Sequence, residues 1–172
     1  MNGLHIRDAG PSDRGAIEAV TLAAYQQYAT VMPAYWEGYR QNILATLADV
    51  PPAQQMVAED DAIVVGTVLL YPAGTVIANA AGAPLTQTAP EVRLLAVTPA
   101  ARGRGVGAAL MDECIRRARQ SGARALTLHT ADIMQAAMRL YKRLGFQRAA
   151  ELDFQPVPGA TIKGYRLSLD AR

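Results

Sequence analysis

The run from Glu91 to Thr130 constrains the fold more than any other part of the chain, because its pieces allow few arrangements. EVRLLAV is an apolar strand pattern that Thr98 and Pro99 bring to an end. A helix pattern begins near Gly105, with Val106, Leu110, Cys114 and Ala118 on one stripe and Arg116, Arg117 and Arg119 mainly elsewhere. Gly122 stops that helix, and ARALTLHT supplies a second strand with Leu126 and Leu128 pointing one way. Two strands joined through a crossover helix are expected to lie parallel in one sheet.

Between the first strand and the helix, Arg102 to Gly107 reads RGRGVG. Glycines remove the side chains that would hold a ligand off the backbone, and successive amides at a helix start form an anion-binding concavity. Arginine adds fork-shaped donors matched to phosphate. The order of strand, basic glycine-rich turn and helix therefore predicts a pyrophosphate cradle. It is not the nucleotide P-loop, since no Gly-Lys-Ser/Thr follows. It also lacks the glycine spacing and the later ribose acid of the dinucleotide fingerprint.

The rest of the chain builds around this unit. A length of 172 residues fits one domain, 1–172, with one core. LHIRDA reads as a short strand, with His5 a surface residue, and GPSD precedes a helix through AIEAVTLAAYQQY that Ser12 or Asp13 can cap. Ile17, Val20, Leu22 and Ala24 supply much of its apolar stripe. Pro33 opens a second helix, PAYWEGYRQNILATLADV, ending before Pro51 and Pro52. QQMVAED and AIVVGTVLLYP pair as a hairpin across Asp60 and Asp61, and Gly66 marks a bulge in the second strand. TVIANAAGAPLTQTAP either extends the hairpin edge or forms a loop. After ARALTLHT, Asp132 caps a last helix, IMQAAMRLYKRLG, with Ile133, Ala137, Leu140 and Leu144 on its apolar face and Gly145 as its stop. FQRAAELDFQPV and ATIKGYRLSLD give two final strands around Pro158 and Gly159. The fold class expected is α/β, a mixed sheet with helices on both faces.

Composition excludes several functions. Seventeen basic against fifteen acidic residues leave a formal charge of +2, too little to argue for nucleic acid, so a local anionic ligand is the better reading. The sole cysteine, Cys114, reads as a buried apolar filler. No apolar run approaches transmembrane length and the first residues carry no secretion signal, which together favour a cytoplasmic protein with no membrane partner. His5 and His129 are far apart, and no multi-thiolate or HExxH arrangement exists, so no metal site is expected. Neither common acyl-enzyme signature is present, which leaves direct transfer between two bound substrates with one group removing a proton and another returning one.

The stretch Glu91 to Phe146 resembles the GCN5-related N-acetyltransferase family, whose members move an acetyl group from acetyl-coenzyme A to an amine. The family's cofactor motif, Gln or Arg, two residues, Gly, any residue, then Gly or Ala, falls on Arg102, Gly105 and Gly107, after Leu94, Leu95, Ala96 and Val97. A second match is AMRLYKRLGF, with Ala137, Leu140, Tyr141, Leu144, Gly145 and Phe146. The resemblance implies the acyl-CoA N-acyltransferase fold, a central twisted mixed sheet flanked by helices in which the cofactor strand splays from its parallel neighbour. It implies acetyl-CoA as donor, with the main chain of Leu95, Ala96 and Val97 meeting the pantetheine arm. Arg102, Gly103, Arg104, Gly105, Val106, Gly107 and Ala108 then wrap the pyrophosphate. Met134 and Ala137 fall on the same cofactor side, and Lys142 and Arg143 either reach the phosphates or belong to a solvated helix face.

By the same resemblance Tyr141 is the general acid for the departing thiolate, and Glu91 is a base acting directly or through water. The alternatives are a packing tyrosine and a solvated glutamate at a strand end. A glutamate ordinarily titrates near about 4.3, so the base role needs a perturbed setting or a water relay. Where the family often carries asparagine this chain has Met134, which cannot supply amide hydrogen bonds. The aromatic residues from Tyr25 to Tyr39 either pack on the sheet or line an acceptor pocket, with Tyr28, Trp36 and Tyr39 as contacts. His129, on the opposite parity from Leu128, faces that cleft or serves a structural role. The expected acceptor is a primary amine of a small molecule or peptide, polycationic acceptors being disfavoured by scattered acidic residues. A homodimer through the last strands is left open. The competing class is a regulatory module that binds acyl-CoA with weak or no turnover.

Overall fold

The computed structural model describes residues 3–49, 54–78 and 84–170. In chain order the elements are β1 (His5–Asp8), α1 (Arg14–Tyr25), α2 (Pro33–Ala48), β2 (Gln55–Asp60), β3 (Ile63–Tyr71), β4 (Val76–Ala78) and β5 (Pro84–Thr86). There follow β6 (Glu91–Val97), α3 (Val106–Gln120), β7 (Ala125–Thr130), α4 (Gln135–Arg143), β8 (Gln147–Arg148), β9 (Phe154–Val157) and β10 (Ala160–Ser168). Strand β6 is parallel to β7, whereas β1 with β2, β2 with β3, β4 with β5, and β10 with β7, β8 and β9 pair antiparallel, so the mixed sheet accompanied by helices is found. The chain divides into two compact units, Met1–Leu70 with Leu94–Glu113, and Tyr71–Arg93 with Cys114–Arg172.

In the first unit β1 pairs with β2 and β2 with β3. Ile17, Val20 and Ala24 of α1, Ile43 of α2 and Met56, Val57, Ala58, Val68 and Leu69 of the two central strands are buried. The α1 stripe differs by one residue from expectation. Leu22 is half-buried, and Thr21 takes the fully buried place because its hydroxyl donates to the Ile17 carbonyl at 2.7 Å. A 3₁₀ turn over Gln26–Tyr28 replaces the predicted last helical turn. The hairpin turn is Asp61–Ala62 rather than Asp60–Asp61, with both φ angles positive (49° and 64°) as a two-residue primed turn requires. The bulge lies beside Gly66 as expected: Ala58 pairs with Gly66 and Glu59 with Val64, which leaves Val65 over, and its carbonyl accepts from Thr98 N–H at 2.9 Å. A Cβ on Gly66 would come within 2.8 Å of Val106 Cγ1 and 3.2 Å of the Ala96 carbonyl, so glycine permits the close approach of α3 and β6.

Asp13 stands at the start of α1 but does not cap it. Its carboxylate accepts from Gly10 N–H at 2.7 Å and from both terminal nitrogens of Arg7 at 2.7 and 3.0 Å, while Arg7 also donates to Glu59 at 2.6 Å. The Arg7 guanidinium and then the Gly10 amide hold the Asp13 carboxyl down at about 2. A depressed carboxylate stabilises the fold above its unfolded pKa, near 3.9, and that contribution is lost as pH falls through the folded value. Thermal melts between pH 5 and 2 are therefore expected to show a decline that D13N, lacking the contribution throughout, shows less steeply; parallel curves would remove Asp13 from the acid transition.

In the second unit β7 pairs with β10 from Lys163↔Thr130 to Ser168↔Ala125, and the first residues of β6 lie parallel to β7 as Glu91↔Thr127 and Val92↔Leu128. Segment 75–90 neither extends the β2–β3 hairpin edge nor forms a plain loop: β4 and β5 pair as a separate two-stranded sheet, and residues 79–83, like Pro51 and Pro52, lie outside the described residues. The first of the two final strands is broken: β8 and β9 are separated by a 3₁₀ turn at Ala150–Leu152. That turn is latched to Gly164 of β10, whose carbonyl accepts from Ala149 N–H at 3.0 Å and whose N–H donates to Asp153 at 2.9 Å. Asp132 is not the cap of α4. Met134 holds that position with no side-chain bond, and the Asp132 carboxylate instead accepts from Lys163 at 2.7 Å. Ile133 consequently stands before the helix and is exposed, leaving Tyr141 as the most buried side chain of α4.

Candidate active site

In the first unit the sequence from β6 to α3 makes the cradle. Gly103 and Gly105 take φ of 75° and 82°, the left-handed region that side chains resist, and α3 starts directly after them. The first i→i−4 bond of α3 runs from Ala109 N–H to the Gly105 carbonyl at 3.0 Å, so the amides of Val106, Gly107 and Ala108 precede the intrahelical ladder at the positive end of the helix. Val106 is buried beneath this turn and Gly107 lies within the helix. Neither arginine side chain is idle. Arg102 donates to the Ala24 carbonyl near the carboxyl end of α1 at 3.0 Å, where a cation meets the negative end of the helix, and Arg104 pairs with Asp60 at 2.6 Å.

Beside the cradle, the Tyr25 hydroxyl donates to the Leu95 carbonyl at 3.3 Å, a contact that periodicity does not foretell. Tyr25 also begins a run of edge-on rings, 5.9 Å from Tyr28 and 6.0 Å from Tyr39, with Tyr39 6.3 Å from Trp36. Tyr28, Trp36 and Tyr39 are half-buried, while Tyr35 is exposed and outside the run. Burial raises the Tyr28 phenol above its ordinary pKa, against the opposing pull of the Arg102 charge. In β6 Ala96 is buried, Leu95 and Val97 are half-buried, and Leu94 takes a positive φ of 49°.

In the second unit the residues at the start of β6 and the end of β7 meet. Glu91 is 3% exposed, which removes the solvated strand-end reading. Its Oε1 lies 3.4 Å from His129 Nδ1 and 3.7 Å from Arg93 Nε, and Arg93 stacks 5.6 Å over the Tyr71 ring. His129 Nε2 sits 2.8 Å from the Leu152 carbonyl, and the ring packs edge-on to Phe154 at 5.3 Å. Burial alone depresses the His129 pKa. The contact with Glu91, its charge and the Leu152 carbonyl outweigh burial and the Arg93 charge, and the net direction is upward. On α4, Tyr141 is buried with its ring 5.9 Å from Phe146. Met134 and Ala137 are half-buried, and Lys142 and Arg143 are exposed in the last turn. Arg93 could have been read from sequence, since it shares the Glu91 face at strand period. The Leu152 carbonyl could not, because backbone groups leave no residue signature.

A model of the acetyltransferase (GNAT) family matches residues 18–146, a span that takes in the cradle, Glu91, His129 and Tyr141. The chain belongs to that family. Among curated proteins the chain is 31% identical over 78 residues to an uncharacterized N-acetyltransferase of Schizosaccharomyces pombe; the match covers 45% of this chain and 48% of that one, so the chain spans about half the length of the curated relative. Its fold is that of a GNAT-family acetyltransferase from Brucella melitensis solved in complex with acetyl-CoA, with TM-score 0.59, 24% identity and 99% and 91% of the two chains covered. It is shared too with the PaiA N-acetyltransferase of Thermoplasma acidophilum in complex with coenzyme A, with TM-score 0.70, 13% identity and 96% and 98% covered. No helix among the described residues of this GNAT chain is long and apolar enough to cross a membrane.

Proposed function

We propose that this chain transfers the acetyl group of acetyl-CoA directly to a primary amine of a small molecule or peptide. The observation that carries the reading is the pair of positive-φ glycines, Gly103 and Gly105, opening onto the amide end of α3 within the family match. A diphosphate held there meets the N–H groups of Val106, Gly107 and Ala108. The main chain of Leu95, Ala96 and Val97 accompanies the pantetheine arm, with Met134, Ala137 and Arg143 as further donor contacts. Tyr28, Trp36 and Tyr39 form the acceptor side. Their rings offer contact area with polar tips and no cluster of negative charge, which suits an amine carried on an apolar or peptide body.

In this chemistry the acceptor nitrogen attacks the thioester carbon as Glu91 removes its proton, and the carbon–sulfur bond breaks with Tyr141 protonating the sulfur. A second reading is favoured by Met134: a side chain without amide hydrogen bonds at the start of α4 suits a module that binds acyl-CoA without turnover. Calorimetric titration with acetyl-CoA, followed by coenzyme A release across a panel of small primary amines and peptides with free amino termini, separates the two. Binding with saturable release on at least one amine is expected. Binding with no release on any acceptor favours the module, and absence of binding overturns both.

A further inference from the structure

Within the second unit, the surroundings of His129 place its protons. A carbonyl oxygen only accepts, so the 2.8 Å contact with Leu152 puts a hydrogen on Nε2. Nδ1 then faces Glu91 Oε1 at 3.4 Å, and both atoms are acceptors unless one proton lies between them. Two forms of the contact satisfy this: an imidazolium against a carboxylate, or a neutral imidazole against a protonated carboxyl. The form without that proton sets a nitrogen lone pair against a carboxylate that is almost wholly buried, with little water to screen the repulsion.

We infer that Glu91 and His129 take up the acceptor's proton as one unit, with His129 a positioning residue that acts through Glu91 and the Leu152 carbonyl fixing its tautomer. The inference rests on the transferase reading above. In the proton-free pair, Glu91 receives the hydrogen from the acceptor nitrogen while that nitrogen's lone pair forms the bond to the acetyl carbon. The thioester electrons leave on sulfur, which takes the Tyr141 proton. The hydrogen received by Glu91 is then shared with Nδ1, so the pair passes from one negative charge to none, and the pair and Tyr141 are restored by exchange with water. A carboxylate alone is a weak base near neutrality, whereas a pair whose proton-free form is repulsive holds a shared proton more tightly than a lone carboxylate does.

The other groups that face the pair modulate this without replacing it. Arg93 on β6 supports the charge of Glu91 and opposes that of His129, and its guanidinium is also held over Tyr71. Asp153, in the segment that carries the Leu152 carbonyl, is engaged by Arg148 at 2.6 Å. Lys163, next to the His129 partner Gly164 on β10, is engaged by Asp132. Phe154 contributes only its ring.

The chain has two histidines, so imidazole nuclear magnetic resonance of the intact protein, assigned with H5Q, reads His129 directly. A hydrogen on Nε2 throughout, a titration raised from the ordinary histidine value and a roughly tenfold loss of proton affinity in E91Q are expected. A hydrogen on Nδ1 alone, or a titration that E91Q leaves in place, overturns the pairing; the wild-type tautomer decides the matter even where E91Q does not fold. With an amine found by the release panel, the acid limb of kcat/KM is expected to follow the His129 titration and to move in H129Q. An unmoved limb overturns the role of His129 in proton uptake. Failure to turn over any amine counts against the transferase reading itself, and is distinguished from failure of the pair because the resonance titration needs no substrate.

Discussion

Tyr141→Phe is expected to bind acetyl-CoA within about twofold of the wild type and to release coenzyme A on the order of 10²-fold more slowly at saturating donor. The substitution removes only the phenolic oxygen. The ring remains buried against Phe146 at 5.9 Å, and the Phe146 N–H still reaches the backbone carbonyl of residue 141 at 3.0 Å, so α4 keeps its closing contacts. The size of the effect follows from the leaving group. A thiol ordinarily titrates near about 8.5, so a thiolate departs without full protonation far more readily than an alkoxide, and the loss belongs at the low end of the range for a missing general acid. Single-turnover release at fixed donor separates this from a slower binding step. A rate equal to wild type with normal binding would leave Tyr141 as a packing residue and return the proton to water.

Replacing Gly164 by alanine is expected to give the largest loss of stability among single methyl additions in the second unit. A Cβ there would meet the Leu152 Cβ and stand 2.9 Å from the Ala149 carbonyl, and neither is the end of a flexible side chain that can swing away. Overpacking of this kind costs roughly 1–3 kcal/mol, and with backbone on the far side the upper part of that range applies. For a chain of this length that corresponds to a fall in Tm of about 4–12 °C. The same displacement moves the Leu152 carbonyl away from His129, so the variant should also let the His129 hydrogen leave Nε2. Circular-dichroism melts and the imidazole spectrum check both halves. A variant that melts within about a degree of wild type, with its tautomer unchanged, would show that the turn at Ala150–Leu152 can yield.

How far these features could be read in advance depends on whether their causes are local. The α3 stripe was legible: Val106, Leu110, Cys114 and Ala118 are all buried, because burial at every fourth residue is written into helical geometry. The turn before α3 was legible for a similar reason, since the positive φ at Gly103 and Gly105 is one that glycine takes most readily. The parallel pairing of β6 with β7 followed from the crossover between them. What escaped was decided at a distance. Asp13 and Asp132 carry the right chemistry for caps, but Arg7 and Lys163 compete for their carboxylates and win as charge-assisted partners. The predicted strand over 146–157 broke because Gly164, on another strand, offers a place where a turn can dock. His129 meets Glu91 across a parallel pair of strands whose register no local pattern states.

Arg102 carries a mechanical consequence. Its guanidinium holds the Ala24 carbonyl, and the next residue, Tyr25, contacts Leu95 and starts the line of rings toward Trp36. The loop before α3 and the end of α1 are thus joined through one side chain and one main-chain oxygen. A change that shifts the end of α1 is therefore passed directly to the loop before α3, whereas the outer rings, on α2, stand one step removed from that joint.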